Sequence, residues 1–190
     1  MSGTAKPTSN LDTALDHASR LLASNPELAG EQASEIIKAV GAHPMAVLLL
    51  GTSHRMRGDA SRALEILRPL ALSQPNWAIA HLEFGLALAA ARQANEAKAA
   101  LLRAVALKPD LPKAWLALGD QLMALDDADS ADAAYANHVR YSTRDPHMLR
   151  AGTALCENRL VEAEALLRER LQQAPTDVAA IRMLAEVAIR

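Results

Sequence analysis

The stretch KAWLALGDQLMAL, residues 113–125, has the apolar spacing of an amphipathic helix and holds Gly119 in its middle. A glycine inside a helix costs about 1 kcal/mol relative to alanine, so its presence needs a structural reason. Gly51, Gly85 and Gly119 are evenly spaced along the chain. This recurrence predicts a structural repeat with a period of about 34 residues.

Other residues keep the same period. An alanine follows each glycine after twelve positions, a large apolar residue follows after sixteen, and a proline follows the first two glycines later in the period; these residues are Ala63, Ala97, Ala131, Leu67, Leu101, Tyr135, Pro75 and Pro109. Each period holds two apolar-periodic segments of about 14 residues, near the usual length of a helix. We expect the glycine to let the second helix approach closely, with the small alanine as its counterpart. The prolines should end the second helix.

This pattern resembles the tetratricopeptide repeat (TPR). One unit carries the family's Trp-x2-Leu-Gly pattern and its later small and aromatic residues, at Trp115, Leu118, Gly119, Leu122, Ala131 and Tyr135. The resemblance implies an all-α fold, a right-handed superhelical solenoid of antiparallel helix pairs with about 11 helices. Stacked pairs of this kind stabilise one another, since each helix alone is marginal in water.

The register predicts the organisation of the chain. We expect a flexible tail over residues 1–9 and a TPR-like array over residues 10–190. The array divides into a degenerate repeat at 10–43, clear repeats at 44–77, 78–111 and 112–145, a degenerate repeat at 146–176, and the first helix of an incomplete repeat at 177–190. Pro69 falls inside a predicted second helix, so we expect that helix to kink or stop near Arg68.

Composition excludes several classes of function. The net charge is −2, which does not favour a nucleic-acid or anionic-membrane partner. The single cysteine, Cys156, excludes a disulfide framework, and we expect a buried, unreactive thiol. The polar start has no signal-peptide pattern and no apolar run is long enough to span a bilayer, so we predict a cytoplasmic protein.

No motif predicts a cofactor, a metal or a catalytic site. The six histidines show no ligand spacing, and His81 takes the place that Trp115 has one repeat later, so we interpret it as a packing residue. The acidic run DDADSAD, residues 126–132, lacks the glycine and glutamate of a calcium loop, and we interpret it as a helix cap. We therefore expect a non-catalytic chain.

The TPR resemblance implies a concave groove that binds a peptide or protein segment. The side chains expected to face it are Met45, Leu48, Thr52, Arg55, Met56, Ile79, Leu82, Leu86, Ala90, Lys113, Leu116, Asp120 and Met123. Much of this set could equally serve as ordinary contact between repeats. In chaperone-binding relatives basic residues hold a peptide carboxylate, but leucines stand at those positions here, so that mode is not expected.

The segment 177–190 ends on apolar residues without a polar cap. Either the chain is a fragment of a longer protein, or this helix docks on a partner or forms a homodimer. Stretches such as LPKAWLALGDQL resemble the amino-terminal repeats of bacterial tetratricopeptide-repeat sulfotransferases. That resemblance implies an alternative function, in which the repeats present a substrate or mediate self-association for a catalytic domain absent from this chain.

Overall fold

The computed structural model describes residues 7–143 and 145–189. Within them the chain forms eleven helices and no strand. They are α1 (Pro7–Ser24), α2 (Pro26–Val40), α3 (Pro44–Met56), α4 (Ala60–Ser73), α5 (Ala78–Ala90), α6 (Ala94–Leu107), α7 (Pro112–Ala124), α8 (Ala128–Ser142), α9 (Pro146–Cys156), α10 (Leu160–Gln173) and α11 (Val178–Ile189). Of the predicted tail, residues 1–6 lie outside the described residues, and residues 7–9 belong to α1.

The helices form successive antiparallel pairs, so the predicted all-α, TPR-like fold is confirmed. The chain divides into two compact units, unit 1 over residues 1–107 and unit 2 over residues 108–190. In unit 1 each helix packs on the next, and α3 also packs on α1 and α5. In unit 2 each helix again packs on the next, and α9 also packs on α11. Each unit buries its own core of alanine, leucine and a few other apolar side chains.

Four helix pairs share one turn geometry. The residue two places before the second helix has a positive φ in each of them, at Gly58, Arg92, Asp126 and Asn158. In the first of these turns the N–H of Gly58 donates to Arg55 and that of Asp59 donates to His54, which is the Schellman pattern. The same two bonds recur in the other three turns. The repeat therefore extends to the backbone conformation of its turns, although glycine occupies only the first.

The repeated glycines lie where the two helices of a pair approach most closely. A Cβ atom at Gly85 would lie 2.8 Å from Cγ of Leu101, and one at Gly119 would lie 2.7 Å from Cδ1 of Tyr135. Real Cβ atoms essentially never approach so closely, so any side chain at these sites would have to displace the partner helix's residue. We predicted that each glycine faces the small alanine twelve positions later, and this was wrong. The nearest side chain is that of the large residue sixteen positions later.

Pro69 does not end its helix. The structure continues α4 without interruption to Ser73, which corrects the expectation of a stop near Arg68. Proline lacks an N–H, so the carbonyl of Glu65 loses its usual helical donor. Both Glu65 and Pro69 lie on the exposed side of α4, where water can hydrogen-bond that carbonyl. The opposite side, with Leu70, is buried and holds the helix in place.

His81 and Trp115 lie in the first turn of α5 and α7, and their rings make equivalent hydrogen bonds. Trp115 donates its indole N–H to the carbonyl of Pro109 over 2.7 Å, and His81 places Nε2 3.2 Å from the carbonyl of Pro75. Burial, with a smaller contribution from Arg103, lowers the pKa of His81, so its imidazole is neutral at pH 7. His81 thus anchors its helix as Trp115 does, in agreement with the packing role predicted for it.

Candidate functional site

A groove of about 670 Å³ lies within unit 2. Selected side chains of α7, of α8 and the residue after it, of α9 and of α11 line it. We call it the unit 2 groove. Among the described residues, α7 does not pack directly on α9, although α8 packs on both. Because α7 and α9 do not touch, the side of α8 that lies between them borders open space.

The lining is mainly apolar and rich in methionine. Met123 on α7 is 49% exposed, whereas Met148 on α9 and Met183 on α11 are buried. Gly152 contributes backbone only, because a Cβ there would lie 2.8 Å from Cγ1 of Val139. Methionine side chains are flexible and polarisable, and they adapt to varied apolar partners. The groove therefore offers an apolar surface of a size typical of ligand sites, to which Met123 contributes an exposed, adaptable side chain.

A tyrosine hydroxyl in this groove is hydrogen-bonded to a carboxylate. The Tyr135 hydroxyl donates a hydrogen bond to Oδ1 of Asp120 over 3.0 Å. Burial raises the pKa of Tyr135 well above its ordinary value, and the negative charges of Asp120, Glu186 and Asp132 raise it further. The hydroxyl is thus protonated at neutral pH and acts as a donor. Arg182 is the one arginine or lysine among the described lining residues.

Cys156 lies at the end of α9 and contributes to the same lining. Its thiol is only partly buried and lies 3.3 Å from the carbonyl of Asp132, to which it donates. The expectation of a buried thiol is therefore wrong, and its low reactivity stays a prediction.

The predicted groove residues of α7 lie in different surroundings. Leu116, Asp120 and Met123 line the unit 2 groove. Lys113 is exposed on the same helix but is not among the residues that line the groove. Of the four α7 residues that the sequence predicted to face a groove, three line the unit 2 groove.

The predicted residues of unit 1 divide by burial. Leu48, Thr52 and Leu82 are buried, so their side chains pack within unit 1 and do not form an open surface. Ile79 and Leu86 are partly buried, and Met45, Met56 and Ala90 are exposed.

Arg55, the remaining predicted groove residue of unit 1, is engaged in an ion pair. Its Nη2 lies 2.7 Å from Oε2 of Glu83 on α5, and both side chains are largely buried. This contact links α3 to α5, so Arg55 has a packing role in the structure whether or not it also meets a ligand.

Sequence reasoning missed the contribution of α11 to the groove. The signal was present in the register, because four lining residues of α11 lie two repeats after the four predicted groove positions of α7. They are Ala179, Arg182, Glu186 and Ile189, which follow Lys113, Leu116, Asp120 and Met123. One of the two intervening repeats is slightly shorter than the other, and this shortening obscured the correspondence.

The described residues provide neither a metal site nor a membrane span. No group of three or more histidine, cysteine, aspartate or glutamate side chains among them is placed to hold a metal ion. None of the described helices is both long and apolar enough to cross a membrane. The acidic run contributes a helix cap, as predicted, since Asp127 accepts a hydrogen bond from the N–H of Ser130 at the start of α8.

Solved structures with the same architecture are numerous. TTC0263, a thermophilic TPR protein of Thermus thermophilus, is 22% identical, with a TM-score of 0.68 over 95% of this chain and 100% of its own. PilF of Pseudomonas aeruginosa is 17% identical, with a TM-score of 0.73 over 95% of this chain and 84% of its own. MamA of Desulfovibrio magneticus RS-1, from residue 41 to its end, is 21% identical, with a TM-score of 0.60 over 69% of this chain and 75% of its own.

Sequence comparison adds no closer relationship. No family model matches the chain, and no curated protein matches it significantly. The comparisons give no support to the predicted resemblance to tetratricopeptide-repeat sulfotransferases. The structural similarity and the repeat register agree with each other, and the chain has the tetratricopeptide-repeat fold.

Proposed function

We propose that this protein is a non-catalytic interaction module that binds a segment of another protein in the unit 2 groove. Proteins of the TPR fold are generally protein-binding scaffolds, which makes this class of function the natural one for the chain. The observation that carries the proposal is the groove itself, an open cavity of about 670 Å³ with apolar walls and a few polar groups. Such a combination is typical of binding sites.

The absence of catalysis remains part of the proposal. Tyr135 keeps its proton and donates a hydrogen bond to Asp120, so this pair holds two groove side chains in place. The cytoplasmic location and the sulfotransferase-associated alternative remain predictions, and no observation in the structure favours the latter.

A blocked-groove variant tests the proposal. Ala185 is exposed on α11 and lines the groove, so Ala185→Trp should fill part of the cavity. Ala188 is exposed on the same helix but does not line the groove, so Ala188→Trp is the matched control. The purified protein is used to select from a library of random peptides displayed on phage, and the affinities of enriched peptides are measured by fluorescence anisotropy.

We expect Ala185→Trp to weaken binding of the enriched peptides at least tenfold and Ala188→Trp to leave it unchanged. Circular dichroism of both variants checks that the helices are intact. The proposal is wrong if no peptide is enriched, or if the enriched peptides bind Ala185→Trp as tightly as the wild type. Self-association that both variants reduce would instead indicate that α11 docks on a second copy.

A further inference from the structure

All three methionines of unit 2 line the unit 2 groove. They are Met123, Met148 and Met183, which lie on three different helices. Met148 and Met183 are buried, with 3% and 7% of their surface exposed, whereas Met123 is 49% exposed. Among the described lining residues, the groove therefore presents one thioether that is open to solvent.

The corresponding side chain of unit 1 is closed off. Arg55 in unit 1 and Met123 in unit 2 hold the same position of the repeat, four residues after its glycine. Arg55 is largely buried, and its guanidinium makes an ion pair with Glu83 on α5. In the described part of unit 2, α7 does not pack on α9, and Met123 borders the groove. A small solute therefore reaches Met123 without displacing a helix.

The chemistry open to an accessible thioether is oxidation to the sulfoxide by a peroxide. A lone pair of the sulfur attacks one oxygen of hydrogen peroxide, so that a sulfur–oxygen bond forms and the oxygen–oxygen bond breaks. The proton of the transferred oxygen ends on the departing oxygen, which leaves as water. The sulfur is thereby oxidised and the peroxide is reduced. The product is a polar side chain, and methionine sulfoxide reductases return it to the thioether.

The apolar wall of the groove makes such a change unfavourable for binding. Leu116 lies on the same helix as Met123 and lines the same groove. A segment that binds against this wall covers the side chain of Met123. Covering a polar group without giving it a hydrogen bond costs free energy, whereas covering a thioether does not. A sulfoxide at Met123 should therefore weaken binding.

We propose that Met123 is an oxidation site, and that its sulfoxide lowers the affinity of the unit 2 groove for the segment bound there. The inference rests on the proposed function and adds its regulation by peroxides. The thioether form binds the segment, the sulfoxide form releases it, and reduction of the sulfoxide restores binding. A bound segment shields Met123, so the unoccupied protein is the form that reacts.

Peroxide treatment followed by site-resolved mass spectrometry tests the modification. We expect one added oxygen on Met123 and on Met45 and Met56, which are similarly exposed in unit 1, and none on Met148 and Met183. A peptide enriched in the phage selection should slow the oxidation of Met123 and leave that of Met45 unchanged. Met123 that stays reduced while Met45 and Met56 react would overturn the inference.

Fluorescence anisotropy then measures the affinity of the same peptide before and after oxidation. The oxidised wild type should bind at least about fivefold more weakly, the lower end of what covering an unpaired polar group costs. Dithiothreitol alone should not restore binding, which excludes a reversibly oxidised Cys156 as the cause. Dithiothreitol with methionine sulfoxide reductases should restore it.

Two leucine variants identify the responsible methionine, since leucine has a similar volume and no thioether. Each variant is compared with its own untreated sample. Met123→Leu should change little on oxidation, whereas Met45→Leu/Met56→Leu should lose affinity as the wild type does. An equal loss in Met123→Leu would overturn the inference, as would an unchanged affinity of wild type oxidised at Met123. In either case sensitivity to Ala185→Trp would leave the proposed function standing, while a selection without enriched peptides would refute both.

Discussion

At the scale of single residues, the period of the sequence corresponds to sites where no side chain fits. The glycines at 51, 85 and 119 each lie against the large residue sixteen positions later in the partner helix. Their cost in helix propensity, about 1 kcal/mol each, is offset by the close packing of the two helices. A change at one of these glycines therefore tests the packing of a whole helix pair.

Gly85→Leu should overpack the contact between α5 and α6 and lower the free energy of unfolding by about 1–3 kcal/mol. The reason is that even a Cβ atom at this position would lie 2.8 Å from Cγ of Leu101. Urea unfolding followed by circular dichroism measures the change. Ala90→Leu, on the exposed side of the same helix, is the control and should change stability by less than about 0.5 kcal/mol. Equal stabilities for Gly85→Leu and the wild type would refute this account of the glycines.

The residue pattern predicted the fold well because helix pairing depends on local periodicity, which the repeat register preserves. It predicted the groove less well. Leu48 and Leu82 occupy the same register position as Leu116, yet they are buried in unit 1 and Leu116 borders a cavity. In unit 1 α3 packs on α5, whereas among the described residues of unit 2 α7 does not pack on α9, and such packing between neighbouring pairs cannot be read from one repeat alone.

At the scale of helices, one arginine on α10 joins the starts of two others. Asp145 accepts a hydrogen bond from the N–H of His147 at the start of α9, and Asp177 accepts from the N–H of Ala180 at the start of α11. Arg170 contacts both carboxylates, each over 2.9 Å. It thereby fixes the orientation of two helix caps in unit 2.

Arg170→Ala should therefore destabilise unit 2 by about 1–3 kcal/mol, the usual contribution of hydrogen bonds to charged groups. Arg168→Ala is the control, since Arg168 makes an exposed ion pair with Glu164 and its loss should cost less than about 1 kcal/mol. Thermal and urea unfolding of the two variants measure the difference. Similar losses in both variants would show that the double contact adds nothing to an ordinary surface pair.

The effect of Arg170 should also depend on pH. The hydrogen bond from Arg170 is the main cause that lowers the pKa of Asp177 below its ordinary value of 3.8. A carboxyl group with a lowered pKa in the folded state contributes stability that is fully present above the unfolded pKa and is lost as the pH falls through the folded one. The difference between wild type and Arg170→Ala should thus be constant near neutral pH and shrink below about pH 4.

At the scale of the whole molecule, packing is local in sequence. Within each unit, the helices pack only on helices that are next or next but one along the described chain. In proteins of this kind stability is approximately a sum of contributions from individual repeats and their neighbours. Local damage should therefore remain local.

Hydrogen exchange measured by mass spectrometry tests this expectation with Gly51→Ala. A Cβ at Gly51 would lie 2.5 Å from Cγ of Leu67, so the substitution strains the pair α3 and α4. We expect loss of amide protection in these two helices and little change in α9 and α10 of unit 2. A uniform loss of protection across all the described helices would instead indicate a single cooperative domain.

Cys156, the single sulfhydryl of the 190-residue chain, borders the unit 2 groove and is partly accessible. It supplies a built-in attachment point for an environment-sensitive dye, with no engineered substitution and no competing label elsewhere. Alkylation by a maleimide should slow when the groove is filled. The native chain thereby carries its own sensor of occupancy.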